Sequence, residues 1–231
     1  MKTKIQNVQQ FINRNKYEFL LFGLVQHLFV SVFISDLDFY ARVVWPINMV
    51  ILGITSVGVF SEKSKNEIII KNILLLAVII LPLSRALFDS PESFLMTVSL
   101  VYTVFFGFIF YEVFQFLIKP EEFTTDVLSA AGCGYLLLIE IFAFLFQYLL
   151  YNDPSCLNIE LGRNVSEIYV DLVYFVTISL TTIGFGDFSP TAHYTKLITS
   201  LMGLIGTFYT VVLTGILISN FAPNLLKNKD K

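Results

Sequence analysis

The segment Thr182-Ile183-Gly184-Phe185-Gly186-Asp187 alternates glycine with large apolar side chains, a pattern suited to stripping water from a cation. Dehydration takes closely stacked rings of oxygen atoms. A backbone supplies one carbonyl per residue to such rings only if successive residues turn their oxygens to a common axis. That needs alternating conformations, some at positive φ, which Gly184 and Gly186 adopt at little cost. Ile183 and Phe185 are then expected to point away from the axis and pack against surrounding helices, holding the ring diameter. Thr182 adds a hydroxyl oxygen at the inner end, and Asp187 sets a cation-attracting carboxylate at the outer mouth.

The elements on either side must hold this segment in place. Val165–Thr181 (VSEIYVDLVYFVTISLT) is apolar but too short to cross a bilayer, and reads as a helix aiming its partly negative C-terminus at the segment. Non-helical backbone at membrane depth survives only when buried in protein or lining a watery path, so helix and segment together read as a re-entrant element.

The rest of the chain supplies the membrane. Of 231 residues, 55% are apolar and 14% charged, with a mean hydropathy of +0.73. An ordinary soluble domain is about 45–50% apolar and about 25% charged. Six stretches are long enough to cross about 30 Å of hydrocarbon: Glu18–Ser35, Val43–Phe60, Ile68–Phe88, Phe94–Ile118, Val127–Tyr151 and Tyr194–Phe221. The second is expected to open at Trp45-Pro46 near an interface, and the sixth to end at Ala222-Pro223. The expected fold class is an all-α membrane protein, with the re-entrant element between the fifth and sixth helices. The domains read as residues 1–120, a four-helix unit; 121–222, outer helix, short helix, segment and inner helix; and 223–231, a short tail.

Orientation follows from Lys and Arg. An even number of crossings puts both termini on one side, where eleven basic residues collect (Lys2, Lys4, Arg14, Lys16, Lys63, Lys65, Lys71, Lys119, Lys227, Lys229 and Lys231). The other side has four, Arg42, Arg85, Arg163 and Lys196. Both termini are therefore expected in the cytoplasm of a cell-membrane protein. The N-terminal run lacks a small-residue cleavage site and reads as a retained span. A net charge of −3 gives no basic surface for nucleic acid.

The stretch Thr181–Asp187, TTIGFGD, closely resembles the potassium-channel signature usually written TVGYGD, and its wording is especially similar to two-pore-domain potassium channels. The resemblance covers about residues 127–221. It implies K⁺, the permeant ion rather than a cofactor, held by the carbonyls of Thr182, Ile183, Gly184, Phe185 and Gly186 and by the Thr182 hydroxyl, with Thr181 in the bracing. In that family four pore loops surround one axis; this chain has one, so the resemblance implies a homotetramer in the lipid bilayer. Gly206 lies 20 residues beyond Gly186, where similar channels place a bending glycine. It reads as a gating hinge or as a site of close helix packing, whereas Gly203 and Gly215 read as packing positions.

Two departures from the family pattern stand out. The position of the carboxylate that many bacterial relatives carry behind the filter is Ile178 here. The paired tryptophans of other relatives read Tyr174-Phe175, leaving the Tyr174 hydroxyl as donor to Asp187. Weakened selectivity or slow inactivation is the expected consequence. The fourth span has no Lys or Arg, and Glu112 is its only charge, so a voltage sensor is not expected. Each elementary charge moved through 100 mV supplies about 2.3 kcal/mol, and this span has no positive charge to move. A cytoplasmic gating domain after Phe221 is likewise not expected.

Other polar residues carry two readings each. Glu140, near the middle of the fifth span, is a candidate proton-sensitive intramembrane switch with His27 as partner, or a hydrogen-bonded glutamate tying helices together. His193 reads as a pH sensor beyond the filter or as a solvated loop histidine, and Cys156 as an intersubunit disulfide or a free thiol. Asn164-Val165-Ser166 is a glycosylation sequon, meaningful in a eukaryotic host. The alternatives to a K⁺-selective passive channel are a weakly selective cation channel, a subunit of a potassium-uptake transporter, and a non-conducting membrane signalling protein. An enzyme is not expected: HExxH, GxSxG, paired CxxC and phosphate-loop motifs are all missing.

Overall fold

In hydrocarbon a backbone must satisfy its own N–H and C=O groups, and a helix does so within a single segment. Helices are what the computed structural model contains. It describes residues 15–60, 68–69, 72–78, 80–81, 92–118, 125–159 and 165–227. Among these, five helical stretches are long and apolar enough to cross a membrane: Lys16–Phe33, Leu37–Val59, Ser93–Ile118, Asp126–Asn152 and His193–Ile216. Of the predicted third span, residues 68–69, 72–78 and 80–81 are described and helical, with Val78 buried against the core. Its remainder lies outside the described residues, as do Lys71, Arg85, Lys119, Arg163 and Asn164.

Helix α1 (Lys16–Phe29) begins with Glu18 in its first turn and ends in a 3-10 turn, Val30–Phe33. The second rod starts earlier than predicted, at Leu37 rather than Val43, because the Asp36 carboxylate caps it by accepting the Phe39 N–H at 2.9 Å. It passes through a π-helical turn, Tyr40–Val44, into α2 (Trp45–Ser56). Pro46 has no N–H to offer one turn back, and its ring crowds that turn, which explains a widening there. Trp45 lies eight residues inside this rod. It is buried, with its ring 5.6 Å from that of Tyr102.

Helix α4 (Thr125–Asn152) is the hub: α3 (Glu92–Ile118), α1, α5 (Val165–Leu180) and α6 (His193–Lys227) all pack on it. In its most apolar stretch 67% of residues are buried, against 17% in that of α6. Along α6, Leu197, Leu201, Leu204, Phe208 and Val211 form an exposed apolar stripe at helical spacing. The helix runs on through Pro223 to Lys227 and does not stop at Ala222 as predicted. Proline's fixed φ is itself helical, so passing through it forfeits one backbone hydrogen bond but does not force a break.

Candidate functional site

Helix α5 ends in the hydrogen-bond pattern of a Schellman motif. The Thr182 N–H donates to the Ser179 carbonyl at 3.1 Å, and the Ile183 N–H reaches back to the Ile178 carbonyl at 2.9 Å. The Gly184 N–H shares that Ile178 carbonyl at 3.1 Å, so Ile178 acts here through its backbone. The motif needs a left-handed residue after the helix, normally glycine. Thr182 takes that place, at φ 60°. A β-branched residue there stores about 1–3 kcal/mol of strain. The Thr181 hydroxyl folds back onto the Thr177 carbonyl at 2.8 Å.

Beyond this turn the backbone alternates in hand. Gly184 and Gly186 have φ of +55° and +81°, so with Thr182 every second residue is left-handed. The two glycines were legible from the sequence; Thr182 was not. Ile183 and Phe185 are 58% and 71% exposed, so the helices of their own chain do not cover them. Among the described residues no three His, Cys, Asp or Glu side chains gather as a metal site. The oxygens that this segment offers a cation are its carbonyls, the Thr182 hydroxyl and Asp187.

Beyond the second glycine, the Tyr174 hydroxyl donates to the Asp187 carboxylate at 2.7 Å. That bond holds the Asp187 carboxyl below its ordinary pKa. Phe175 points elsewhere and meets Phe146 edge-on, with ring centroids 5.3 Å apart. The loop after α4 is a second support that sequence reasoning missed. The Asn158 side chain donates to the Asp187 carbonyl at 3.0 Å and accepts from the Ser189 N–H, while its own N–H donates to the Ser189 carbonyl at 3.1 Å. An isolated antiparallel bridge pairs Leu157 with Pro190, and the Cys156 carbonyl accepts from the Thr195 hydroxyl at 2.8 Å. The Tyr194 hydroxyl donates to Asp153 at 2.7 Å. Bonds from Ser155 and Tyr194 keep the Asp153 carboxyl below its usual range.

Cys156 itself is fully buried, and burial pushes its thiol pKa up. Burial within its own chain favours the free-thiol reading of Cys156. His193 is exposed and meets the Tyr194 ring edge-on. At Gly206 an added Cβ would lie 2.6 Å from Leu180 Cδ2 and 3.2 Å from the Leu180 carbonyl oxygen, so this glycine is a point of close approach between α6 and the end of α5. At Gly203 and Gly215 the same chain places nothing within 4 Å.

Glu140 of α4 and His27 of α1 meet deep in the core, with Nε2 3.6 Å from Oε1 and no exposed surface on either side chain. The Tyr169 hydroxyl of α5 donates to the other carboxylate oxygen at 2.9 Å. The first two residues were singled out from the sequence; Tyr169 was not.

Residues 134–222, from within α4 to the far part of α6, match the family model described as ion channel. The match supports an ion-channel function, and with the apolar helices it marks a multi-pass membrane protein. No solved structure matches the chain.

Proposed function

We propose that the chain is a subunit of a potassium-selective channel, four copies of which surround a passive pore in the cell membrane with both termini cytoplasmic. The observation that carries this reading is the alternation of backbone hand from Thr182 to Gly186, directly beyond the C-terminus of α5 and inside the stretch matching the ion channel family. In this reading α4 is the outer helix, α5 the pore helix, Thr182–Gly186 the filter and α6 the inner helix. The carbonyls of Thr182, Ile183, Gly184, Phe185 and Gly186 replace the water around K⁺, and Asp187 gathers cations at the entrance. The exposed Ile183, Phe185 and apolar stripe of α6 then face neighbouring copies and lipid. Between Phe94 and Ile118 the charge is Glu112 alone, so voltage has no positive charge to move in α3. An enzymatic activity has no place in this arrangement.

The test is flux in liposomes, K⁺ against Na⁺, for wild type and Gly184→Ala. Wild type should prefer K⁺ strongly. An alanine at φ +55° adds about 1–2 kcal/mol of strain in every copy, and the preference should be lost. A second reading, a weakly selective cation channel, draws on the side-chain bracing at Asp187: Tyr174 donates there, while Phe175 packs on Phe146. Equal K⁺ and Na⁺ flux in wild type would favour it. Absence of flux would favour a non-conducting protein.

A further inference from the structure

Glu140 has one carboxylate oxygen on the pore helix of the proposed channel and the other turned to the first helix of the chain. Oε2 accepts the Tyr169 hydroxyl of α5 at 2.9 Å, and Oε1 faces His27 Nε2 of α1 at 3.6 Å. All three residues are buried. Aromatic rings enclose them: Phe144 lies 5.3 Å from the Tyr169 ring, and Trp45 and Phe106 each lie 6.5 Å from His27. Among the described residues, neither His27 nitrogen has a hydrogen-bond partner, nor has Oε1 of Glu140. Buried polar groups are nearly always paired, so an unpaired set facing itself across a gap slightly too wide for a hydrogen bond needs an explanation.

We propose that Glu140 is a positioning residue for the pore helix. It ties α5 to α4 through Tyr169, and it tightens or slackens that tie according to whether α1 brings His27 within hydrogen-bonding distance. A small inward shift of α1 would close the gap, draw on the carboxylate and move Tyr169. Tyr169 lies on the same helix as the Ile178 and Ser179 carbonyls that hold Thr182 and Ile183. The helices ahead of the pore thereby acquire a role that needs no voltage-sensing arginine: they set the filter through one buried carboxyl. This inference rests on the channel reading for its meaning, while the mechanical coupling from α1 through α4 to α5 stands independently of it.

The test uses the full chain reconstituted in liposomes and two readouts, hydrogen exchange of residues 165–187 and the ratio of K⁺ to Na⁺ flux. Tyr169→Phe and Glu140→Leu should each speed exchange across 165–187 about fivefold to tenfold, the loss of one buried hydrogen bond. Glu140→Gln keeps an oxygen for Tyr169 and should exchange as wild type does, which separates the hydrogen bond from mere packing. His27→Leu should speed exchange over the same residues, and adding it to Glu140→Leu should add nothing. The flux ratio should fall in Glu140→Leu and hold in Glu140→Gln. Unchanged exchange in both Glu140→Leu and Tyr169→Phe, or additive effects of His27→Leu and Glu140→Leu, would overturn the proposal. If wild type carries no flux, the channel reading falls and exchange alone still decides the coupling.

Discussion

Two regions at opposite ends of α5 show contrasting states of completion. Around Tyr169, one chain closes its own structure: His27 and Glu140 are wholly covered, and four aromatic side chains, Trp45, Tyr102, Phe106 and Phe144, crowd in. Past Leu180, every residue from Thr181 to Asp187 is exposed, with large apolar groups such as Phe185 uncovered. Removing apolar surface from water contributes roughly 25 cal/mol per Å², so covering Phe185 would be favourable, and its own chain does not cover it. In the proposed tetramer the neighbouring copy does. The closed region is then a property of the subunit, and the open one of the assembly.

Glycines on α6 give the largest effect with which to probe this contrast, because one faces each kind of environment. Gly206→Ala would press a methyl against Leu180, within 3.2 Å of its carbonyl oxygen. Overpacking of this kind costs about 1–3 kcal/mol, and it falls on the residue that ends α5. The melting temperature should drop and K⁺ flux with it. A hinge role would instead change opening with the melting temperature intact, so the pair of measurements separates the two readings of this glycine. Gly203→Ala meets nothing in its own chain. It should be tolerated by the subunit, and a loss of tetramer on a native gel would locate a neighbouring copy at that face.

Asn158→Ala is the next step down. It removes two hydrogen bonds, to the Asp187 carbonyl and from the Ser189 N–H, each worth about 1 kcal/mol net. The effect should appear in the open region alone: a K⁺ to Na⁺ flux ratio reduced several-fold, with hydrogen exchange around Glu140 unchanged. If exchange at residues 134–147 rises as well, the two regions are not separable and the contrast fails.

The supports of the site differ in how far the sequence exposed them, and the reason is range along the chain. The glycine alternation is local, so Gly184 and Gly186 were readable as positive-φ positions. The Tyr174–Asp187 bond spans 13 residues within a single re-entrant motif, and the resemblance pointed to it. Asn158 and Tyr169 reach partners 29 residues away across other elements. No periodicity marks an asparagine in a polar loop or a tyrosine in an apolar helix as a brace. Thr182 was chosen for its hydroxyl, and its strained backbone became visible only once the end of α5 was built. Five of the six apolar stretches were legible from hydropathy as long helices. Their ends were not, because Asp36 starts a helix ahead of the apolar run and Pro223 fails to stop one.

Tyr174→Phe should have the smallest effect and tests the open region from its solvent side. The Tyr174 hydroxyl bond favours the ionised form of Asp187 and lowers its pKa from the ordinary 3.8. A carboxylate with a depressed pKa contributes its interaction above the ordinary pKa, and loses it as pH falls through the depressed value. In wild type the charge at the mouth should therefore persist in acid in which a free aspartate would already be protonated. In Tyr174→Phe the carboxyl returns towards 3.8, so acid on the Asp187 side should reduce K⁺ flux at a higher pH than in wild type. Asp187→Asn should flatten the curve altogether. Coincident acid curves for wild type and Tyr174→Phe would mean that Asp187 does not govern cation entry. The hydroxyl bond would then be a brace for the backbone beneath it, and its removal should resemble Asn158→Ala in the flux ratio.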